Sequence, residues 1–158
     1  MISLLKELTD DPQFPEGSAW IRHQFEAHRT VIREGEQGRS LYIIEKGELR
    51  ISRRVELEDR RHIQPGICDL GRGEIFGEIC LYGSHHLRTA TVTTLTPARV
   101  LALDGHRLAV YLDARPLQGY LFLRALFERL ASRINRANLR VDHLLAWGLK
   151  AHGIEAHL

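Results

Sequence analysis

Cysteine is nearly absent: the 158 residues hold two, Cys68 and Cys80. Two thiols cannot build a disulfide framework, so both read as reduced, and the chain reads as cytoplasmic. No uninterrupted run of about 18 apolar residues occurs, and no membrane span is expected. The opening Met-Ile-Ser-Leu-Leu-Lys-Glu-Leu lacks a basic stretch ahead of its apolar residues, which argues against a secretory signal. An excess of one charge is missing too. The 22 Lys and Arg against 20 Asp and Glu leave +2, too little by itself to point to nucleic acid or a membrane surface. There is no G-x-S-x-G, and no serine or cysteine with an identifiable histidine and carboxylate behind it, so catalysis is not expected. His85 and His86 are adjacent, project differently and have no Cys, Asp or His at ligand spacing, so a solvated loop is expected and no metal.

What is present is an ordinary globular composition, 44% apolar and 27% charged, enough for one domain and a small appendage. The chain falls into zones. Residues 1–28 predict a mostly helical lead-in: Ile2, Leu4, Leu5 and Leu8 at helical spacing, a break at Asp10-Asp11-Pro12, then Trp20 to His28. Trp20, Ile21 and Phe25 suit one face of a second short helix, with a first strand as the alternative. Residues 29–104 change to short apolar or alternating runs punctuated by glycine, such as Leu41-Tyr42-Ile43-Ile44 before Gly47. Six or more short strands near ten-residue intervals predict a sandwich or barrel, most simply a jelly roll. Residues 105–147 return to helical periodicity, and 148–158 are predicted as a loose tail.

The stretch richest in chemistry runs from Leu70 to Gly83 and resumes at Arg88-Thr89-Ala90-Thr91-Val92. A strand ending at Phe76 meets Gly77, which permits close backbone approach, and Glu78 to Leu81 suits one helical turn. The leading N–H groups of such a turn suit a phosphate. The Arg88 guanidinium can clamp two anionic oxygens, and Thr89 adds a hydroxyl. Ionised Glu78 only accepts, so it suits a sugar hydroxyl better than a phosphate. Together these groups describe a site for a nucleoside monophosphate. Taken singly, Arg88 reads as a surface arginine, Glu78 as a helix-terminal carboxylate and Cys80 as a small buried hydrophobe; their order in one cassette favours the ligand.

This segment resembles the phosphate-binding cassette of the cyclic nucleotide-binding domain family, F-G-E-hydrophobic-small-L followed by R-[AST]-A-[ST]-V. Phe76, Gly77, Glu78, Ile79, Cys80 and Leu81, then Arg88, Thr89, Ala90, Thr91 and Val92, meet every fixed position. The upstream glycines Gly35, Gly38, Gly47, Gly71 and Gly73 fit as well, and the resemblance covers about residues 25–145. Leu87 and the histidine pair before it depart from the pattern in its variable stretch. The resemblance implies a mainly β fold, an eight-stranded jelly-roll barrel with N-terminal helices and a long C-terminal helix. It implies that Gly77 and the amides of Glu78, Ile79 and Cys80 hold the cyclic phosphate. It gives Glu78 the ribose 2′-hydroxyl, Arg88 the phosphate charge, and Thr89 a phosphate oxygen or the base. The ligand is then cyclic AMP or cyclic GMP, with cyclic AMP favoured, bound without being transformed.

The last helical run carries Phe127, Leu130, Ile134, Ala137, Val141 and Leu144 at intervals of 3, 4, 3, 4 and 3, the seam spacing of a coiled coil. Packing on the chain's own barrel is the plainer reading of this stripe. Self-association is favoured, because Leu126 and Leu145 thicken the seam only at its ends. Arg133, Arg136 and Arg140 beside the seam read as a solvated face. DNA-binding relatives carry a helix-turn-helix after this helix, and without that element no DNA binding by this chain is expected. Family members also reach the base from this helix, in their own or a neighbouring subunit, which makes Asn135 and Asn138 candidates. The expected function is a cyclic-nucleotide-sensing regulatory module that signals to an unknown effector protein by repositioning its C-terminal helix. The runner-up is a dimeric scaffold of the same fold with little ligand binding, and the third reading is a metal-dependent jelly-roll enzyme.

Overall fold

The computed structural model describes residues 2–56, 62–63, 65–81 and 87–151. It divides into two compact units, Met1–Leu123 and Arg124–Leu158.

Helix α1 (Ile2–Asp10) leads into β1 (Trp20–Phe25), β2 (Thr30–Ile32), β3 (Ser40–Lys46), β4 (Leu49–Ser52), β5 (Val55–Glu56), β6 (His62–Ile63), β7 (Gly66–Leu70) and β8 (Ile75–Phe76). A 3-10 turn (Glu78–Cys80) follows, then β9 (Thr91–Thr94), β10 (Ala98–Asp104), α2 (Gly105–Asp113) and α3 (Pro116–Ala151). Eight strands form two four-stranded antiparallel sheets, ordered β1-β10-β3-β8 and β2-β9-β4-β7; β5 and β6 pair as a separate ribbon. This is the expected mainly β fold with flanking helices.

The second short helix expected after Trp20 is a strand, the alternative reading. Trp20 pairs with Leu103 and Phe25 with Ala98, in unbroken register along β10. Trp20 and Phe25 are five positions apart, so on a pleated strand they serve opposite faces instead of one helical stripe. At the other end, α3 continues through Gly148 to Ala151, past the expected start of a loose tail.

The β10-β3-β8 part of the first sheet is buried on both faces, which explains why β3 reads as an almost continuous apolar run. Ile44, Phe76 and Val100 point into the sandwich with Leu49, Leu70 and Val92. Leu41, Ile43, Ile75 and Leu103 point the other way and are fully buried too, and α2 packs against β10. The Asp104 carboxylate caps α2 by accepting the Arg107 N–H at 2.8 Å. Leu108, Tyr111 and Leu112 then form its buried face, and Pro116 opens α3 in the first-turn position where its missing N–H costs nothing.

In the second unit the seam of α3 is open to solvent: Phe127, Ile134, Val141 and Leu144 are all exposed. Among the described residues no helix is long and apolar enough to cross a membrane.

The loop after α1 is tied to α2 by a polar clamp. The Tyr111 hydroxyl donates to Asp11 Oδ2 at 2.6 Å, the Gln13 N–H donates to Asp11 Oδ1 at 2.8 Å, and Arg115 pairs with Asp11 at 3.4 Å. The Tyr111 hydrogen bond, chiefly, holds the Asp11 carboxyl below its ordinary range. Burial, and then the same bond, raises the Tyr111 phenol. A carboxyl lowered on folding stabilises above its unfolded pKa of about 4 and loses that contribution as pH falls through the folded value. A phenol raised on folding stabilises below about 10 and loses that contribution as pH rises through its folded value. Tyr111→Phe is therefore expected to lower the melting temperature by a few degrees near neutral pH. The gap to wild type should narrow in acid below the usual carboxylate range and in alkali above the usual phenol range, as thermal melts across pH will record.

Candidate functional site

The site is built where β8 stops. Tyr42 pairs with Phe76 and Ile43 with Ile75, so β3 positions the end of β8. Gly77 then turns left-handed, φ 73° and ψ 11°, and caps the 3-10 turn. A side chain there would be strained, and its Cβ would lie 3.0 Å from the Ser40 carbonyl oxygen and 2.8 Å from Arg88 Nη1. The turn is closed by the Leu81 N–H donating to the Glu78 carbonyl at 3.0 Å. Its leading N–H groups make no bond inside the turn itself.

Arg88 reaches the same place from the far side of the sandwich. Its N–H donates to the Glu36 carbonyl at 2.8 Å, and its own carbonyl accepts the Gly35 N–H at 2.8 Å. Leu87 bridges to Gln37 beside them. The loop between β2 and β3 therefore holds both backbone groups of Arg88. The guanidinium lies over the Tyr42 ring, 5.5 Å from its centroid. Tyr42 in turn stacks on Phe76 at 4.9 Å and 6°. Gly38 closes the other side: a Cβ on it would fall 2.5 Å from Arg88 Nε.

Arg88 is only 8% exposed. Among the described residues it has no carboxylate partner, and its hydrogen bond to the Gly77 carbonyl is long, 3.4 Å. Arg50, by contrast, meets Asp69 at 2.7 Å, and Arg99 meets Glu45 at 2.7 Å, both at the surface. A buried cation without a counter-charge is costly. The arrangement therefore favours an anion supplied from outside, beside the turn that begins at Gly77.

The structure brings Gly77, the Glu78–Cys80 turn and Arg88 together. Glu78 is half-buried, while Ile79 and Thr89 are exposed. The Cys80 side chain and the His85-His86 pair lie outside the described residues. Asn135 and Asn138 are exposed on α3 in the second unit; the constellation around Arg88 is drawn from the first unit alone. Among the described residues no group of three or more His, Cys, Asp or Glu could hold a metal ion. Three participants escaped the sequence reading. Tyr42 looked like one more strand residue, and Gly38 one more turn glycine. Thr91, within the cassette, is buried, and its hydroxyl accepts the Glu34 N–H at 3.0 Å, pinning the loop that clamps Arg88.

Residues 22–115 match the family model for the cyclic nucleotide-binding domain. The chain belongs to the cyclic nucleotide-binding domain family. It is 33% identical over 121 residues to a CRP-like cAMP-activated global transcriptional regulator of Mycobacterium tuberculosis, covering 77% of this chain and 50% of that protein. It is 28% identical over 105 residues to a cGMP-dependent protein kinase of Caenorhabditis elegans, covering 65% of this chain and 13% of the kinase. Among solved structures, the c-di-GMP responsive global regulator CLP of Xanthomonas campestris aligns with a TM-score of 0.74 at 19% identity, covering 92% of this chain and 65% of that one, a likeness of fold. The chain spans about half the length of the CRP-like relatives it matches. As a cyclic nucleotide-binding domain, it has the fold that the resemblance of residues 76–92 implied.

The two glycines that flank Arg88, Gly77 and Gly38, should differ when substituted. Gly77→Ala meets a left-handed backbone and a carbonyl, and should cost about 1–2 kcal/mol in chemical denaturation. Gly38→Ala meets only the far end of the Arg88 side chain, which can swing away, and should cost clearly less in the same measurement.

Proposed function

We propose that the chain senses a cyclic nucleotide through Arg88 and the turn beginning at Gly77, and transmits occupancy through α3. The observation that carries this reading is the buried Arg88 guanidinium without a carboxylate partner among the described residues. In this reading the cyclic phosphate takes the missing charge and lies against the backbone N–H groups of Glu78, Ile79 and Cys80. Glu78 accepts the ribose 2′-hydroxyl, and Thr89 meets a phosphate oxygen or the base. Asn135 or Asn138 approaches the base edge, from the same chain or a second copy. The ligand is cyclic AMP before cyclic GMP. The cAMP-activated relative supports that order, and the cGMP-dependent kinase keeps the second candidate in view. The module works in the cytoplasm, binds its ligand without chemical change, and biases the position of α3 for an effector protein or a second copy to read.

Calorimetry with cyclic AMP, cyclic GMP and linear AMP as control tests the site. Arg88→Ala should weaken cyclic nucleotide binding by about 2–4 kcal/mol with the fold intact. Arg88→Lys should recover only part, because a point charge cannot reproduce the fork. Unchanged affinity in both variants would remove the assignment.

The exposed seam supports a two-fold dimer through residues 123–144. Ile134→Glu should give a folded monomer in sedimentation, because like charges would face each other across the axis. A wild type that is monomeric at tens of micromolar (a working range for weak association), with and without ligand, refutes the dimer.

A further inference from the structure

The first unit holds a second concavity, of about 480 Å³, between α2 and the loop that follows α1. That volume lies within the range of about 300–1,000 Å³ usual for small-molecule sites. Its apolar part is made by Val110, which is 56% exposed on α2, and by the exposed Ala114, over the buried rings of Phe14 and Tyr111. The polar part is basic: His106, Arg107 and Arg115 line it, and none of its lining residues is acidic.

The two arginines are in different states. Arg115 is engaged. It pairs with Asp11 at 3.4 Å, donates to Gln13 Oε1 and lies over the Tyr111 ring at 3.9 Å. Arg107 has only a long contact from Nη1 to the Ser18 hydroxyl, 3.4 Å, and no carboxylate partner among the described residues. An exposed guanidinium with unspent donors thus lines the same concavity as an aliphatic surface. A small hydrophilic anion would leave the aliphatic part unused, and a neutral apolar molecule would leave Arg107 unused. Only a ligand with both parts matches the surface.

We propose that this concavity binds a small amphipathic anion, an aromatic or aliphatic body carrying one carboxylate or sulfonate. The head group lies on Arg107 and the body lies against Val110 and Ala114. The site is distinct from the Arg88 cassette and does not depend on the reading given for it.

Fluorescence titration of the whole chain with anilinonaphthalene sulfonate, and with uncharged phenylnaphthylamine, tests this. The sulfonate should bind saturably at one site and persist in excess cyclic AMP. Arg107→Gln should weaken the sulfonate about tenfold and leave the uncharged probe nearly unaffected. Val110→Glu, at an exposed position that tolerates polarity, should weaken both probes, the sulfonate more. Sulfonate affinity equal in wild type and both variants overturns the proposal. So does displacement by cyclic AMP, which would put the probe in the barrel.

Discussion

A buried arginine without a counter-ion constrains everything packed around it. The Arg88 guanidinium cannot hydrate freely where it lies, and no carboxylate among the described residues neutralises it. What surrounds it is instead a set of weak, directional supports: the face of Tyr42, the carbonyl of Gly77 and the open side of Gly38. Each leaves the cationic fork able to accept a stronger partner. A carboxylate in the same place would satisfy the charge and close the site. The cost of leaving it unpaired is borne by the rest of the sandwich.

The sandwich can bear it because β10, β3 and β8 are buried on both faces. Ile44, Phe76 and Val100 fill the space between the sheets, while Leu41, Ile43 and Leu103 on the same strands are buried on the other face. Tyr42 lies in the middle of β3 and is therefore held on both sides of the chain. It stacks on Phe76 one strand away, so the aromatic support for Arg88 rests on the core itself. The loop that fixes the Arg88 backbone is likewise tied down, through the Thr91 hydroxyl.

Polar clamps do for the helices what the sheets do for the cassette. Asp104 starts α2, and Asp11 gathers Tyr111 and Arg115 from its far end. That clamp consumes Arg115 and leaves Arg107, at the start of the same helix, with donors to spare. On α3 the unspent resource is apolar. A seam of exposed Phe127, Ile134, Val141 and Leu144 represents burial that the second unit by itself does not achieve.

Much of the fold was legible because it rests on short-range rules. Glycine punctuation and alternating runs marked the strands, heptad spacing marked α3, and the ordered cassette from Phe76 to Val92 marked the family. Trp20 to Phe25 was ambiguous for a local reason: six residues with apolar positions at both parities fit a helix stripe or a strand, and only pairing with β10 decides. The end of α3 was expected too early, at residue 147, because Gly148 was read as a stop, whereas a single glycine weakens a helix by only about 1 kcal/mol. The sequence by itself therefore determined the kind of fold and the order of the cassette residues from Phe76 to Val92. Tertiary structure alone decided that Arg88 is buried, that Tyr42 and Gly38 flank it, and that Arg107 lines a concavity with Val110 and Ala114. Those facts depend on strands and loops distant in the chain meeting in space, and no local pattern encodes which side chains face each other there.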